Sequence, residues 1–161
     1  MNLLEALEQF PDYRIIFTFP NSDTDGRIIM RLIRGFVDKH KERLIAFTSL
    51  GKIRYLSALK YISAVVGNSS SGIIEVPSFG IPTLNIGDRQ KGRIAADSVI
   101  NCGTSKDEII RGLQTVFSNS VAMNAKKQDN PYGKEGTAAA IVEVLKSVSL
   151  ETLIRKTFYN L

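Results

Sequence analysis

Short apolar runs, rich in β-branched residues, alternate with stretches of helical periodicity, and this alternation restricts the fold more than any other feature of the chain. The runs are YRIIFTF (13–19), RLIAFTS (43–49), SAVVG (63–67), PTLNIG (82–87) and SVINCG (98–103). Between them lie DGRIIMRLIRGFVDKHK (25–41), GKIRYLSALKYI (51–62) and SGIIEVPSFG (71–80), the first two with apolar residues at helical spacing. Strands this brief and apolar are expected to be buried on both faces of a parallel sheet. Strand–helix alternation predicts an α/β fold, an open parallel sheet with helices on both faces. Beyond residue 103 the pattern turns helical, at 105–117, 136–148 and 150–159. Ser105 and Glu108 have the spacing of a capping box, and NPYGKEG (130–136) is a turn-rich connection.

The chain has 161 residues, enough for one domain with a core. A single cysteine, Cys102, excludes an internal disulfide, and with only one histidine, His40, a zinc site is not expected. Cys102 ends a buried strand and reads as packing. No run is long enough to span a bilayer, and MNLLEALEQFPDYR has no basic region ahead of an apolar stretch, so neither membrane anchor nor signal peptide is expected. A reducing cytoplasm fits this composition. The net charge is +5 and the pI about 9.4. Lys and Arg are scattered, many on predicted helix faces, which reads as a solvated surface rather than a nucleic-acid stripe. A mild positive field favours small anionic ligands.

In an open parallel sheet, ligands bind beyond the carboxyl ends of the strands. Four loops should open there: PNSDTDG (20–26), SLGK (49–52), NSSSG (68–72) and GDRQKGR (87–93). One serine of Ser69, Ser70 and Ser71 suffices to cap the following helix. Three hydroxyls beside free N–H groups suit a phosphate. Arg89 or Arg93, from the next loop, could add a fork of donors. Glu75 complements the helix start or accepts hydrogen bonds from two adjacent sugar hydroxyls. Pro77 requires that helix to be short or kinked. A nucleoside diphosphate would use both ends of the stretch.

Sharper motifs fail. GNSSSG lacks the endings of a P-loop and of a dinucleotide fingerprint, and it is not a nucleophile elbow. NSDTDG begins like a calcium loop with Asn21, Asp23, Asp25 and Gly26, but its twelfth position is Leu32 instead of a bidentate Glu. Asp25 reads instead as the cap or first-turn acid of the next helix.

FPNSDTDG, VVGNSSSGIIEVPSFGIPTLNIGDRQKGR and NPYGKEGTAAAIVEVLKS together resemble, in order, the C-terminal half of the UDP-N-acetylglucosamine 2-epimerases, over about Phe17 to Ser147. GDRQKGR is similar to the hydrolysing branch. The resemblance implies a Rossmann-like lobe of a two-lobed glycosyltransferase-B-type fold, with 1–161 a single UDP-binding C-terminal lobe. The final helix, about 150–160, would then pack on an absent N-terminal lobe. The implied reaction is UDP-N-acetylglucosamine plus water to N-acetylmannosamine and UDP, toward sialic acid. A related branch acts on 2,4-diacetamido-trideoxy UDP-sugars. Carried over, Ser69 and Arg89 match diphosphate-binding residues, Ser70 and Glu75 ribose-binding residues, and Asn21 and Leu50 uracil contacts. Ser71, Gly72 and Arg93 belong to the motif without an assigned role. The family's acid/base carboxylates and its histidine have no counterpart here; His40 does not match that histidine. The implied ligand is the UDP-sugar itself, with no separate cofactor, metal, nucleic acid or membrane partner, and self-association is an expectation. Two other readings stay open: the donor-nucleotide lobe of a UDP-sugar glycosyltransferase, and a non-enzymatic UDP-sugar-binding module.

Overall fold

The computed structural model describes residues 1–20, 25–133 and 135–149. Every strand ladder in it is parallel. β1 (Ile15–Thr18) pairs with β2 (Leu44–Phe47), Ile15 opposite Leu44 and Thr18 opposite Phe47. β3 (Val65–Gly67), β4 (Thr83–Ile86) and β5 (Val99–Cys102) form a second ladder in the order β3-β4-β5. All five expected strands are present, β3 trimmed at its start and the others at both ends. The hydrogen-bonded ladder is divided, but the core is not. One apolar cluster joins Ile15 and Phe17 of β1, Leu44 of β2, Val66 of β3 and Leu84 of β4.

Seven helices accompany these strands among the described residues. α1 (Asn2–Leu7) and α6 (Asn119–Lys126) were not expected from the sequence. α2 (Gly26–Lys39), α3 (Gly51–Ala58), α5 (Lys106–Val116) and α7 (Thr137–Ser147) fall on the expected segments. Asp25 stands at the N-cap of α2, where its carbonyl, not its side chain, accepts from Ile28 and Ile29. α4 is only Ser71–Ile74, followed by a 3-10 turn at Val76–Phe79 with Pro77 in its first turn. Proline there lacks the N–H that a continuing α-helix would need, and Gly80 closes the turn at φ 69°. The helix expected over 150–159 lies outside the described residues.

Successive residues of a strand face opposite sides, and β4 shows what each side meets. Leu84, fully buried, contacts α5 where Gly112 leaves room: a Cβ at 112 would stand 2.6 Å from Leu84 Cδ1. Its neighbour Thr83 points the other way, and Thr83 Oγ1 donates to the Gly72 carbonyl of α4 at 2.8 Å. Helices therefore cover both faces at β4. The expectation of burial on both faces fails at β1 and β2. Ile16, Ile45 and Phe47 on their outer face are 47%, 48% and 38% exposed, because no described element packs there. α7 likewise has no buried residue.

The capping box forms as expected. Glu108 N–H donates to Ser105 Oγ, and Ser105 N–H donates to Glu108 Oε2 at 3.2 Å. The Ser105 hydroxyl first, and its N–H second, hold the Glu108 carboxyl below its ordinary value. A lowered acid stabilises the fold above its unfolded value and loses that contribution as pH falls through the folded one. Thermal melts below about pH 4.3 should therefore show a steeper acid loss for the native chain than for Glu108→Gln; superimposable profiles would remove the box from the stability of α5. Leu84→Ala, which empties the centre of the core, is expected to cost about 2–5 kcal/mol in urea unfolding.

Candidate functional site

The loops after β3, β4 and β5 leave the carboxyl ends of one parallel ladder and so gather on one edge. The serine loop is fixed to the sheet from beneath. A Cβ at Gly72 would stand 2.7 Å from Thr83 Cγ2, closer than real side chains approach, so only glycine lets α4 rest on β4. The Thr83–Gly72 hydrogen bond keeps that threonine from turning away.

On this base the serines divide their roles. Ser70 occupies the N-cap position of α4, but its hydroxyl does not cap. Ser69 Oγ accepts from Ser71 N–H at a long 3.4 Å. The N–H of Gly72 is engaged with the Ser69 carbonyl, and those of Ile73 and Ile74 with the Ser70 carbonyl. The N–H groups of Ser69 and Ser70 donate to no acceptor among the described residues. With only four residues, α4 carries little macrodipole. What this corner offers an anion is individual donors.

Ser71 is committed elsewhere. Its hydroxyl shares a hydrogen bond with Tyr55 Oη of α3, a residue with no distinguishing mark in the sequence. Burial pushes the Tyr55 phenol up, the Ser71 bond pulls it back, and the Glu75 carboxylate raises it again. The phenol therefore stays neutral at physiological pH, beside both Ser71 and Glu75. Leu50 is the half-buried N-cap of the same α3. Tyr55 thus ties the β2–α3 connection to the serine loop. Asn21 lies outside the described residues.

The arginine loop reaches the serine loop through Gln90. Its side chain is 7% exposed, and Nε2 donates to the Asn68 carbonyl at 2.9 Å. The flanking turn closes with Lys91 N–H to the Asp88 carbonyl and Arg93 N–H to the Gln90 carbonyl. Gly87 and Gly92 bracket it at φ 75° and 82°, values that favour glycine. Arg89 and Arg93 are exposed on this loop, and their guanidinium groups form no ion pair or hydrogen bond among the described residues. Glu75, exposed at the joint between α4 and the 3-10 turn, accepts no side-chain hydrogen bond among the described residues. A shallow cavity of about 400 Å³ beside these loops is lined by Gly67, Asn68, Ile86 and Thr104, with Met1 and Asn2 at its rim.

Two other candidates are placed away from this chemistry. His40 follows α2 and precedes β2, at the amino end of the strands, 3.8 Å from Glu42 and against the Phe36 ring. Cys102 packs against the core, and burial, with Glu108 second, pushes its thiol up. Gln90 is the residue of the candidate site that sequence reasoning misses. It sits inside the GDRQKGR motif, but its value lies in a bond across 22 residues, and nothing periodic signals such a bond.

A family model described as UDP-N-acetylglucosamine 2-epimerase matches residues 1–146. The chain is 36% identical over 161 residues to the polysialic acid biosynthesis protein P7 of Escherichia coli, covering 99% of this chain and 41% of that protein. It is 34% identical over 160 residues to the GDP/UDP-N,N'-diacetylbacillosamine 2-epimerase (hydrolyzing) of Campylobacter jejuni, with the same two coverages, 99% and 41%. The chain thus spans about two-fifths of the length of these relatives. An S. aureus structure titled as a MnaA–UDP co-structure superposes with a TM-score of 0.74 at 18% identity, over 90% of this chain and 40% of that one, a likeness of fold.

The Gly72–Thr83 contact is testable by a double-mutant cycle. Gly72→Ala should cost about 1–3 kcal/mol through overpacking. Adding Thr83→Ser, which removes Cγ2 and keeps the hydroxyl, should recover most of that loss; strictly additive losses in urea melts would contradict the close approach.

Proposed function

The chain belongs to the UDP-N-acetylglucosamine 2-epimerase family, and from that premise we propose that it is the UDP-binding lobe of a hydrolysing member. The observation that carries this reading is the Gln90–Asn68 bond, which joins the loop of Arg89 and Arg93 to the loop of Ser69 and Ser70; the guanidinium groups of the one and those two N–H groups of the other have no partner among the described residues. Donors of both kinds, left without protein acceptors on one sheet edge, suit the oxygens of a diphosphate.

In this reading Ser69 and Arg89 hold the diphosphate, Ser70 and Glu75 the ribose, and Asn21 and Leu50 the uracil, with Arg93 a second cation nearby. The reaction removes the proton at C2 of the sugar. The C1–O bond breaks with its electron pair leaving on UDP, and water adds to the resulting glycal. This chain's share is to stabilise the charge on the departing diphosphate. The base belongs to a further lobe, which the relatives' greater length can accommodate. The exposed outer face of β1–β2 and the apolar side of α7 are surfaces on which such a lobe, or a second copy, could rest. The sugar is N-acetylglucosamine, converted to N-acetylmannosamine for a sialic-acid-type product, in a reducing cytoplasm. A second reading is favoured by the relative named for diacetylbacillosamine: a 2,4-diacetamido UDP-sugar, with the nucleotide held in the same way. Among the described residues, no helix is long and apolar enough to cross a membrane.

Calorimetric titration separates the two ends of the ligand. Arg89→Ala should weaken UDP by about 10- to 100-fold, the scale of a charged hydrogen bond, and leave uridine unchanged. No heat with millimolar UDP from a folded chain, or equal losses for both ligands, would falsify the assignment.

A further inference from the structure

The turn at 130–133 joins two segments, the end of α4 with its 3-10 turn and the far end of the arginine loop. Asn130 Nδ2 donates to the Ile74 carbonyl at 2.9 Å and to Ser78 Oγ at 2.6 Å. Its own Oδ1 accepts from Tyr132 N–H at 2.9 Å, so the amide orients the residue two places on. From there the Tyr132 hydroxyl donates to the Ile94 carbonyl at 3.0 Å. Gly133 closes the turn onto the Asn130 carbonyl, and a Cβ at 133 would stand 3.0 Å from Ser78 Oγ. The turn therefore sits hard against the 3-10 segment.

Both attachments adjoin the candidate site. Ile74 immediately precedes Glu75, and Ile94 immediately follows Arg93. Ile74 ends α4, where a carbonyl lacks its intrahelical partner and needs another donor. The arginine loop has no regular structure from 87 to 98 and two positive-φ glycines. Gln90 anchors its middle to Asn68, and without a second anchor its far end keeps the freedom that ligand binding must then remove.

We infer that this turn is a staple that sets the position of Glu75 relative to the arginine loop, which makes Asn130 and Tyr132 positioning residues for the two ends of the nucleotide. The inference rests on the UDP-binding reading above. Each anchor governs one end. Tyr132 acts through Ile94 on the guanidinium groups at the phosphates, and Asn130 acts through Ile74 and Ser78 on the carboxylate at the ribose.

Two near-isosteric variants test it. Tyr132→Phe removes one donor, and should weaken UDP by about two- to tenfold, the scale of one neutral hydrogen bond, with uridine unchanged. Asn130→Asp loses both amide donors but keeps the acceptor for Tyr132 N–H. It should weaken uridine and UDP alike and narrow the preference for uridine over 2'-deoxyuridine. A turn that only supports the fold would lower the melting temperature and leave the UDP-to-uridine affinity ratio of Tyr132→Phe, and the ribose preference of Asn130→Asp, at native values; that result overturns the proposal. Amide hydrogen exchange on the unliganded chain tests the staple without any nucleotide. Exchange should quicken at 91–94 in Tyr132→Phe and at 74–80 in Asn130→Asp, and unchanged exchange overturns the staple. If the native chain takes up no UDP, the functional reading fails by itself, and the exchange data alone judge the staple.

Discussion

The site depends on one buried amide. Gln90 leaves its loop, enters the protein and donates its N–H to the Asn68 carbonyl, and that single contact brings the arginine loop to the serine loop. Gln90 Oε1 is buried as well and meets no donor among the described residues. A single net hydrogen bond contributes only about 0.5–1.5 kcal/mol, so the bond by itself does not hold the loop. Its conformation needs the turn bonds from Lys91 and Arg93, the two glycines and the distant hydroxyl of Tyr132. A loop held by several weak contacts of which none suffices is one whose geometry each contact can adjust.

The proposed anion binding does not draw on a helix field. α4 ends after four residues because Pro77 forbids its continuation, and Gly72 is taken up by packing against Thr83. Among the described residues, the donors that remain are the N–H and hydroxyl groups of Ser69 and Ser70 and the two guanidinium groups, the latter facing water. Donors that water can reach are solvated without ligand, so binding exchanges water for anion at little net gain per contact. Affinity then depends on holding several donors in fixed relation. The extensive tying of these loops to one another, by Tyr55, Gln90, Asn130 and Tyr132, meets that requirement.

This division also explains what was legible in the sequence. All five strands could be read, because apolar runs of five to seven residues between helical stretches leave a periodic record. So could the capping box at Ser105 and the break imposed by Pro77, where local chemistry acts within four residues. The contacts that assemble the site act across 16 to 56 residues and join polar side chains to one another or to carbonyls. Neither partner in such a bond has a signature in its own neighbourhood. Thus 130–133 reads as a turn and as part of the family resemblance, with nothing to show what it touches, and Tyr55 as one aromatic of a helix. α1 and α6, of six and eight residues, are too short for periodicity to stand out. Burial on both faces does not hold for β1 and β2, since apolar side chains on a strand show which surface avoids water but not which element covers it.

The distribution of chemistry over the molecule bears on what this chain contributes. Donors for an anion collect at the carboxyl ends of the strands, while the only histidine sits at the amino ends, beside Glu42 and Phe36. His40 comes before its strand, β2, and the serine loop after its strand, β3, and the side-chain contacts of His40 are with Glu42 and Phe36. Glu75, the carboxylate that is near, follows directly on α4 and raises the Tyr55 phenol. A carboxylate engaged by two ribose hydroxyls, the role proposed for Glu75, is poorly placed to abstract a proton from carbon at the same time. On the reading proposed here, the elimination is therefore divided in space. This chain receives the charge that leaves with UDP, and the group that starts the reaction approaches from across the open edge.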